Sequence, residues 1–440
     1  MATSQKNQQE ILEKLGIKAL NPMQQEALTS IKTKKDTILL SPTGTGKTLA
    51  FLLPVIDELD PNLEEVQVLI LVPSRELAIQ IEQVTREMGS GFKANAVYGG
   101  RAFSKDKIEL SHPPSILIGT PGRVADHLRR ETFSVENVKI LVLDEFDKSL
   151  EVGFEAEMKE IINFLPQVEK RILTSATQNI KIPSFAGLKE PETINYLQEG
   201  VAGLHTEVVV APKRDKLETL LKLLQSTGNE PGIIFCNFKD SIQEVSDFLK
   251  QNGMNHACFS GGMEQKDRER ALIKFRNGTH RLIIATDLAA RGIDIPEIKF
   301  IIHYELPHRK EEFTHRNGRT ARMHGEGTAY VLQYEKESLP EYITPDSYTK
   351  NVESKSQASK PKQTKWTTLF ISGGRKDKIS KGDIAGLFLK QGNLLKEELG
   401  VIELKQDCAF VSVPPAKAEK LVQDLNNTRL KKKKVRISRV

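Results

Sequence analysis

Cysteine is scarce in this 440-residue chain: Cys236, Cys258 and Cys408 are scattered, and no two form a Cys-x-x-Cys pair. Neither a zinc site nor a disulfide framework is indicated, and reduced thiols are the expectation. Long apolar runs are missing too. Residues 1–10 are polar, without the apolar stretch of a secretory leader, and no later run is long enough to cross a bilayer. A cytoplasmic protein is expected. No aromatic residue occurs before Phe51. A large charge excess is also lacking, since the formal net charge is +6, but the distribution is uneven. From Trp366 to Val440 there are 16 basic against 8 acidic residues, which leaves −2 for everything before. A polyanionic partner for the last segment fits that asymmetry.

The length suggests about three domains, each large enough for its own core. Short apolar runs alternate with helix-like stretches, at Gln67 to Val72, Ile116 to Gly119, Ile140 to Leu143 and Arg171 to Thr174. A second series follows at Gly232 to Cys236, His256 to Phe259, Arg281 to Ala285, Phe300 to His303 and Thr328 to Leu332. This pattern predicts two successive α/β domains, each a parallel sheet covered by helices, with functional loops at the carboxyl ends of the strands. The boundaries read as residues 1–203 and 204–345. Leu197 to Pro212, with Gly200 and Gly203, reads as the connection. Residues 346–365, poor in apolar side chains, read as a flexible linker of about 25 Å r.m.s. span. Residues 366–440 regain strand signals at Thr368 to Ile371, Ala409 to Val413 and Lys434 to Ile437, around a helix-like Ala416 to Leu425. A small α+β module is predicted there.

One stretch organises the first domain. The apolar run Thr37 to Leu40 enters Ser41-Pro42-Thr43-Gly44-Thr45-Gly46-Lys47-Thr48, and helix-like Leu49 to Leu53 follows. A strand, a glycine turn and a helix start converge backbone N–H groups on an anion. In such a P-loop Lys47 can reach the β- and γ-phosphates of a nucleotide and the Thr48 hydroxyl can ligate Mg²⁺. Ser41 stands where the strict pattern has glycine. Asp144-Glu145-Phe146-Asp147 follows the apolar Ile140 to Leu143. Beside a P-loop, Asp144 can hold Mg²⁺ through water and Glu145 can orient or deprotonate the attacking water.

Further motifs stand in order along the chain: Pro22-Met23-Gln24, Pro73 to Ala78 (Pro-Ser-Arg-Glu-Leu-Ala), Gly99-Gly100, Thr120-Pro121-Gly122-Arg123 and Ser175-Ala176-Thr177. Gln265-Lys266-Asp267-Arg268, Ala285-Thr286-Asp287, Arg291 to Asp294 and His315 to Arg322 (His-Arg-Asn-Gly-Arg-Thr-Ala-Arg) continue the series. With these motifs the chain resembles a DEAD-box RNA helicase. The resemblance implies two RecA-like domains that close over ATP, with Mg²⁺, and over single-stranded RNA.

It also implies roles. Gln24 would select adenine, since a site built for hydrogen bonds leaves them unpaired with the wrong base. Ser41 to Thr48 and Asp294, on the ribose, would complete the ATP contacts. Lys47, Asp144 and Glu145 would carry the chemistry together with Arg319 and Arg322, which would reach the γ-phosphate as arginine fingers. Asp147, Ser175, Thr177 and His315 would couple nucleotide state to closure. Arg75, Gly99, Gly100, Thr120, Gly122, Arg123, Arg268 and Thr286 would line a sequence-independent RNA path. Four departures from the family are visible: Ser41 and Ala321 are small-for-small changes, Phe146 replaces a small residue, and the aromatic that stacks near adenine has no counterpart before Phe51. Altered packing and weaker adenine selectivity are the expectations from the last two.

The C-terminal module resembles the RNA-binding domain of DbpA-type DEAD-box proteins, an RRM-like fold, through Phe370 to Lys378 and Lys381-Gly382-Asp383-Ile384. Arg375, Lys376, Lys378 and the Lys431 to Lys434 run are its candidate RNA contacts, with Phe370 and Phe410 on the strands where bases could stack. In DbpA-type proteins this domain recognises large-subunit ribosomal RNA, which points to ribosome assembly. An RNA-dependent ATPase that locally unwinds short duplexes as a monomer is the leading expectation. An ATP-gated RNA clamp with little turnover and a DNA translocase on the same fold are the alternatives.

Overall fold

The computed structural model describes residues 7–42, 44–177, 182–197, 203–287, 298–320, 326–350 and 364–440. They form two compact units, one built on a first seven-stranded sheet and one on a second such sheet together with the C-terminal module. Among the described residues, no helix is long and apolar enough to cross a membrane.

In the first unit, helices α1 (Gln8–Leu15) and α2 (Pro22–Thr33) precede β1 (Asp36–Leu40) and α3 (Lys47–Asp57). Then come β2 (Val68–Leu71), α4 (Arg75–Met88), β3 (Ala94–Val97), α5 (Phe103–Leu110), β4 (Ile116–Gly119) and α6 (Pro121–Arg129). The unit closes with β5 (Ile140–Leu143), α7 (Phe146–Glu151), α8 (Glu155–Asn163), β6 (Lys170–Ser175) and β7 (Glu192–Asn195). The strands are parallel in the order β3-β4-β2-β5-β6-β1-β7. β1, β2, β4 and β5 are buried along their whole lengths. That is why they read as continuous apolar runs: helices cover both faces of the sheet, and one core lies on each side.

The second unit repeats the plan: β8 (Leu204–Ala211), α9 (Leu217–Thr227), β9 (Gly232–Phe235), α10 (Lys239–Gln251), β10 (Ala257–Phe259), α11 (Gln265–Arg276) and β11 (Leu282–Ala285). β12 (Phe300–His303), α12 (Lys310–Asn317), β13 (Gly327–Tyr334) and β14 (Ser347–Thr349) follow, and the sheet order is β10-β11-β9-β12-β13-β8-β14, again parallel. The expected two RecA-like α/β domains are thus present.

Two expectations are corrected. The stretch read as a connection, Leu197 to Pro212, contains β8, which pairs with β13 through eight residues. Gly203 and Pro212 bound that strand rather than interrupt it. Residues 346–365, read as linker, begin with β14, which pairs with Val208 and its neighbours in β8; main-chain pairing needs no apolar side chains, so composition concealed it.

The C-terminal module comprises β15 (Thr367–Ile371), α13 (Lys381–Gly386), β16 (Ile402–Leu404), β17 (Ala409–Val413), α14 (Pro415–Leu425), a hairpin of β18 (Arg429–Leu430) with β19 (Lys433–Lys434), and β20 (Ile437–Arg439). Its antiparallel sheet has the order β16-β17-β15-β20. Leu369, Ile371, Val411 and Val413 point into its core. The opposite face carries Thr368, Phe370, Phe410 and Ser412, because side chains alternate along a strand. That face meets the end of α11. Thr279 and Thr368 hydroxyls are 2.7 Å apart, Ser412 Oγ donates to Asn277 O at 3.4 Å, and Arg276 lies 3.4 Å from Glu403. The module is therefore packed against the second domain through part of the sheet face on which base stacking was expected. Phe370 and Phe410 meet edge to face at 5.6 Å.

Candidate functional site

Sheet order distributes the motifs. β1, β6 and β5 are consecutive neighbours, so the loops at their carboxyl ends, which carry the P-loop, Ser175 to Thr177 and Asp144 to Asp147, lie side by side. β2, β4 and β3 are the next three, and their ends carry Arg75, Thr120 to Arg123 and Gly99-Gly100. Motifs scattered over the sequence form two adjoining groups.

In the first group, Gly44 and Gly46 have φ of +84° and +88°, the left-handed region that turns the chain sharply before α3. A Cβ on Gly46 would stand 2.4 Å from Gln24 Nε2. Gln24 packs on the loop: its amide donates to Gly46 O at 3.3 Å and accepts from Asn21 N at 3.0 Å. Asn21 caps α2 and also donates to Thr45 O at 3.0 Å. Lys47 is buried and donates to Ser41 O and Pro42 O at 2.5 and 2.7 Å. Two carbonyls thus hold a buried ammonium in the loop that a phosphate would occupy. Ser41 Oγ lies 2.7 Å from Thr45 Oγ1, a contact glycine could not make. Thr48 is half-buried in the first turn of α3. Thr43 lies outside the described residues.

Asp144 still belongs to the ladder, donating its N–H to Leu71 O at 2.9 Å. Burial pushes its carboxyl pKa up, opposed by the Thr174 hydroxyl and the Lys47 ammonium. Glu145 has φ +47°, an uncommon conformation for a side-chain-bearing residue. Phe146 is fully buried in the core, 6.4 Å from Phe185, so its bulk is accommodated beneath the loop. Asp147 accepts from Thr177 Oγ1 at 3.3 Å, and Thr177 N donates to Ser175 Oγ at 2.9 Å. These three coupling candidates therefore form one network. Burial raises the Asp147 pKa as well, with Lys148 opposing.

In the second group, the Arg75 guanidinium lies along Gly99 and Gly100. A Cβ on Gly100, whose φ is +82°, would meet Arg75 Nη1 at 2.4 Å. Thr120 is the N-cap residue of α6, Pro121 is the helix's first residue and Gly122 has open space before it. Arg123 Nε donates to Asp106 Oδ2 at 2.8 Å, and Arg101 pairs with Asp106 Oδ1 at 2.9 Å. Asp106 is fully buried and also faces His127 at 3.3 Å. Its anchoring role had no sequence signal, since it stands 17 residues from Arg123 in an unremarkable acidic-basic helix.

In the second unit, Arg268 stands on α11 with its guanidinium 4.8 Å from the centre of the Phe259 ring, and Thr286 follows β11. His315 lies on α12 and Arg319, largely buried, just beyond it. Asp294 and Arg322 lie outside the described residues. The residue most deeply involved here is Arg316, which the motif reading passed over. It is a fully buried cation that forks onto Asp287 Oδ1 and Oδ2 at 2.7 and 2.5 Å. It also donates to Asn237 Oδ1 at 2.7 Å and Glu305 O at 2.8 Å. The ends of β11, β9 and β12 are thereby tied to α12. Beside it His303, fully buried between the Phe235 and Phe313 rings, donates from Nε2 to Asn317 Oδ1 at 2.9 Å.

Burial, with Arg316 nearby, pushes the His303 pKa down to about 3. An unfolded chain protonates this histidine near pH 6.5, so it binds the extra proton between those two values and stability falls as pH drops through that window. From this residue alone a loss of about 1.4 kcal/mol per pH unit is expected across it. Denaturant titrations at pH 6.0, 5.0 and 4.0 should show a shallower pH slope for His303→Asn than for the unmodified chain.

In the C-terminal module, Arg375 and Lys376 begin a short 3₁₀ turn and Lys378 closes it with φ +59°. Within the lysine run, Lys431 pairs with Asp383 at 3.0 Å and Lys433 with Asp377 at 2.8 Å, so those two are partly neutralised.

Comparison with known proteins agrees with this arrangement. The chain matches the DEAD/DEAH box helicase family over residues 21–184, the helicase conserved C-terminal domain over 215–324 and the DbpA RNA binding domain over 368–439. The ATP-dependent RNA helicase DbpA of Bacillus subtilis is 32% identical over 97% of this chain and 96% of its own length. The Escherichia coli protein of the same name is 31% identical, over 97% and 95%. Among solved structures, Saccharomyces cerevisiae Dbp5 bound to RNA and ADP BeF3 superposes with a TM-score of 0.69 at 28% identity, covering 75% of this chain and 88% of that one. Mss116p bound to ssRNA and AMP-PNP gives 0.66 at 26%, covering 74% and 72%. With two parallel-sheet domains, adjoining P-loop and Asp-Glu-Phe-Asp loops and a DbpA-type C-terminal module, the chain belongs to the DEAD-box ATP-dependent RNA helicases.

Proposed function

We propose that the two groups of loops on the first sheet are, respectively, the ATP site and half of the RNA path. The observation that carries this reading is the strand order, which sets the ends of β1, β6 and β5 beside those of β2, β4 and β3. Gln24, the loop from Ser41 to Thr48 and, from the second domain, Asp294 hold ATP. Incoming phosphates replace the Ser41 and Pro42 carbonyls as partners of Lys47. Thr48 and, through water, Asp144 would hold Mg²⁺, and such a cation would stabilise the buried Asp144 carboxylate. When bound, Mg²⁺ would supply charge neutralisation to the nucleotide phosphates. Glu145 orients the attacking water and accepts its proton, and Arg319 and Arg322 stabilise the charge on the transferred group.

Arg75, Gly99, Gly100, Thr120, Gly122 and Arg123 bind the RNA backbone, joined by Arg268 and Thr286. Such contacts carry no base information. Asp147, Ser175, Thr177 and His315 link nucleotide state to closure. The C-terminal module, through Arg375, Lys376 and Lys378, gives the enzyme an address on large-subunit ribosomal RNA and so a place in ribosome assembly. Its match to the DbpA RNA binding domain supports this address. A single chain in the cytoplasm suffices for the cycle.

The test is ATPase rate against RNA concentration with ribosomal RNA, unrelated RNA and DNA. The full chain is compared with a chain ending at Lys350, so that β14 is kept. Half-saturation by ribosomal RNA at a concentration at least about tenfold below that for unrelated RNA, lost on truncation, is the expected result. Equal stimulation of both proteins by any RNA would discard the address and leave the enzyme.

A further inference from the structure

The Thr174 hydroxyl touches two of the residues that the reading above places in the chemistry, Asp144 and Glu145. Thr174 is the fifth residue of β6, fully buried, next to the end of β5. Its Oγ1 donates to Asp144 Oδ1 and accepts from Glu145 N at 3.2 Å. One rotor therefore bridges a carboxylate and the backbone of its neighbour.

The need for this bridge follows from the chain's path. Asp144 is the last residue held by the ladder, through Leu71 O, and α7 begins at Phe146. Glu145 makes the turn between them in the left-handed region, which a residue with a side chain adopts only when its surroundings hold it there. Its N–H donates to the Thr174 hydroxyl on β6. A partly buried N–H that loses a partner is costly, so the hydroxyl helps to hold the turn. The single hydroxyl proton goes to Asp144, which fixes the direction of that carboxylate.

We infer that Thr174 is a positioning residue for hydrolysis: it sets the direction of the Asp144 carboxylate and the turn that aims Glu145, acting through both and touching neither nucleotide nor water. This rests on the assignment of Asp144 and Glu145 to the ATP site. An aliphatic residue of the same shape would fill the same volume and leave both groups without their common partner.

The test uses the full chain. Thr174→Val preserves shape, Thr174→Ala removes the hydroxyl without asking β6 to accept another methyl, and Thr174→Ser restores it. Saturating RNA-stimulated kcat is expected to fall about tenfold in the Val and Ala variants with the KM for ATP little changed, and to stay within about twofold in the Ser variant. Mn²⁺ binding to the ADP-loaded protein, read by electron paramagnetic resonance, should weaken by about fivefold in the Val and Ala variants and recover in the Ser variant. In the unmodified chain the Glu145 amide should exchange slowly, a measurement that needs no variant to fold. Unchanged kcat and Mn²⁺ affinity in folded Val or Ala variants, equal losses in Ser and Val, or a fast-exchanging Glu145 amide would overturn the inference. A Glu145→Gln control separates the two levels. Full activity there removes the site assignment and this inference with it, whereas an inactive Glu145→Gln beside a normal Thr174→Val removes this inference alone.

Discussion

Glu145→Gln is expected to bind ATP and RNA as the unmodified chain does and to hydrolyse ATP about 10³-fold more slowly, within the range for loss of a positioned general base. The amide is nearly isosteric, and the contact that fixes the turn uses the Glu145 backbone N–H rather than its side chain. Folding should therefore be untouched. What disappears, on the proposed assignment, is the carboxylate that takes the proton of the attacking water. Multiple-turnover ATPase assays at saturating RNA, with equilibrium binding of a fluorescent nucleotide and a labelled RNA as controls, give the answer. Wild-type turnover would remove Glu145 from the chemistry and, with it, the proposed assignment of the site.

Arg316→Met should destabilise the second unit by about 3–5 kcal/mol, because removing one member of a buried ion pair leaves the other charge uncompensated. Arg316 is fully buried, whereas the Asp287 side chain is only 23% exposed, and Asn237 and Glu305 lose a donor at the same time. Arg316→Lys should recover little, since an ammonium cannot fork onto both Asp287 oxygens while reaching two further acceptors. Because Arg316 ties α12 to three strand ends, the displacement should also reach His315 and Arg319 on and beside that helix, lowering turnover. The comparison variant is Arg276→Met, whose partially exposed pair with Glu403 at 3.4 Å should cost under about 1 kcal/mol. Urea denaturation of the full chain separates the two. Similar midpoints for Arg316→Met and Arg276→Met would show that the buried fork is not what holds the domain.

The legible and the illegible parts of this molecule differ in kind. The apolar runs at β2, β4 and β5 were visible because strands buried on both faces contain little else, and the P-loop because its glycines and lysine are adjacent in sequence. Edge and polar strands were not visible. β14 is Ser347, Tyr348 and Thr349, and what makes it a strand is the partner β8. β8 itself was mistaken for a connection because glycine and proline flank it. Docking of the C-terminal module was equally hidden, since the contacts are made by Thr279, Thr368 and Ser412, which resemble solvent-facing residues until a surface covers them. The anchors Asp106, Thr174 and Arg316 share that property. Each lies far in sequence from the residue it holds, and its type alone suits a surface as well as a core.

The class of the protein, the glycine-rich nucleotide loop, the order of the motifs and the basic C-terminal module could be read along the chain, because each depends on residues that are neighbours in it. Only the tertiary structure decided which motifs lie together, which carboxylate and which arginine are buried, and what holds them. Those properties depend on strand order and on the loss of water around charged groups. A buried ion or N–H must find its partner wherever the fold brings one, and no local pattern of residues records that choice.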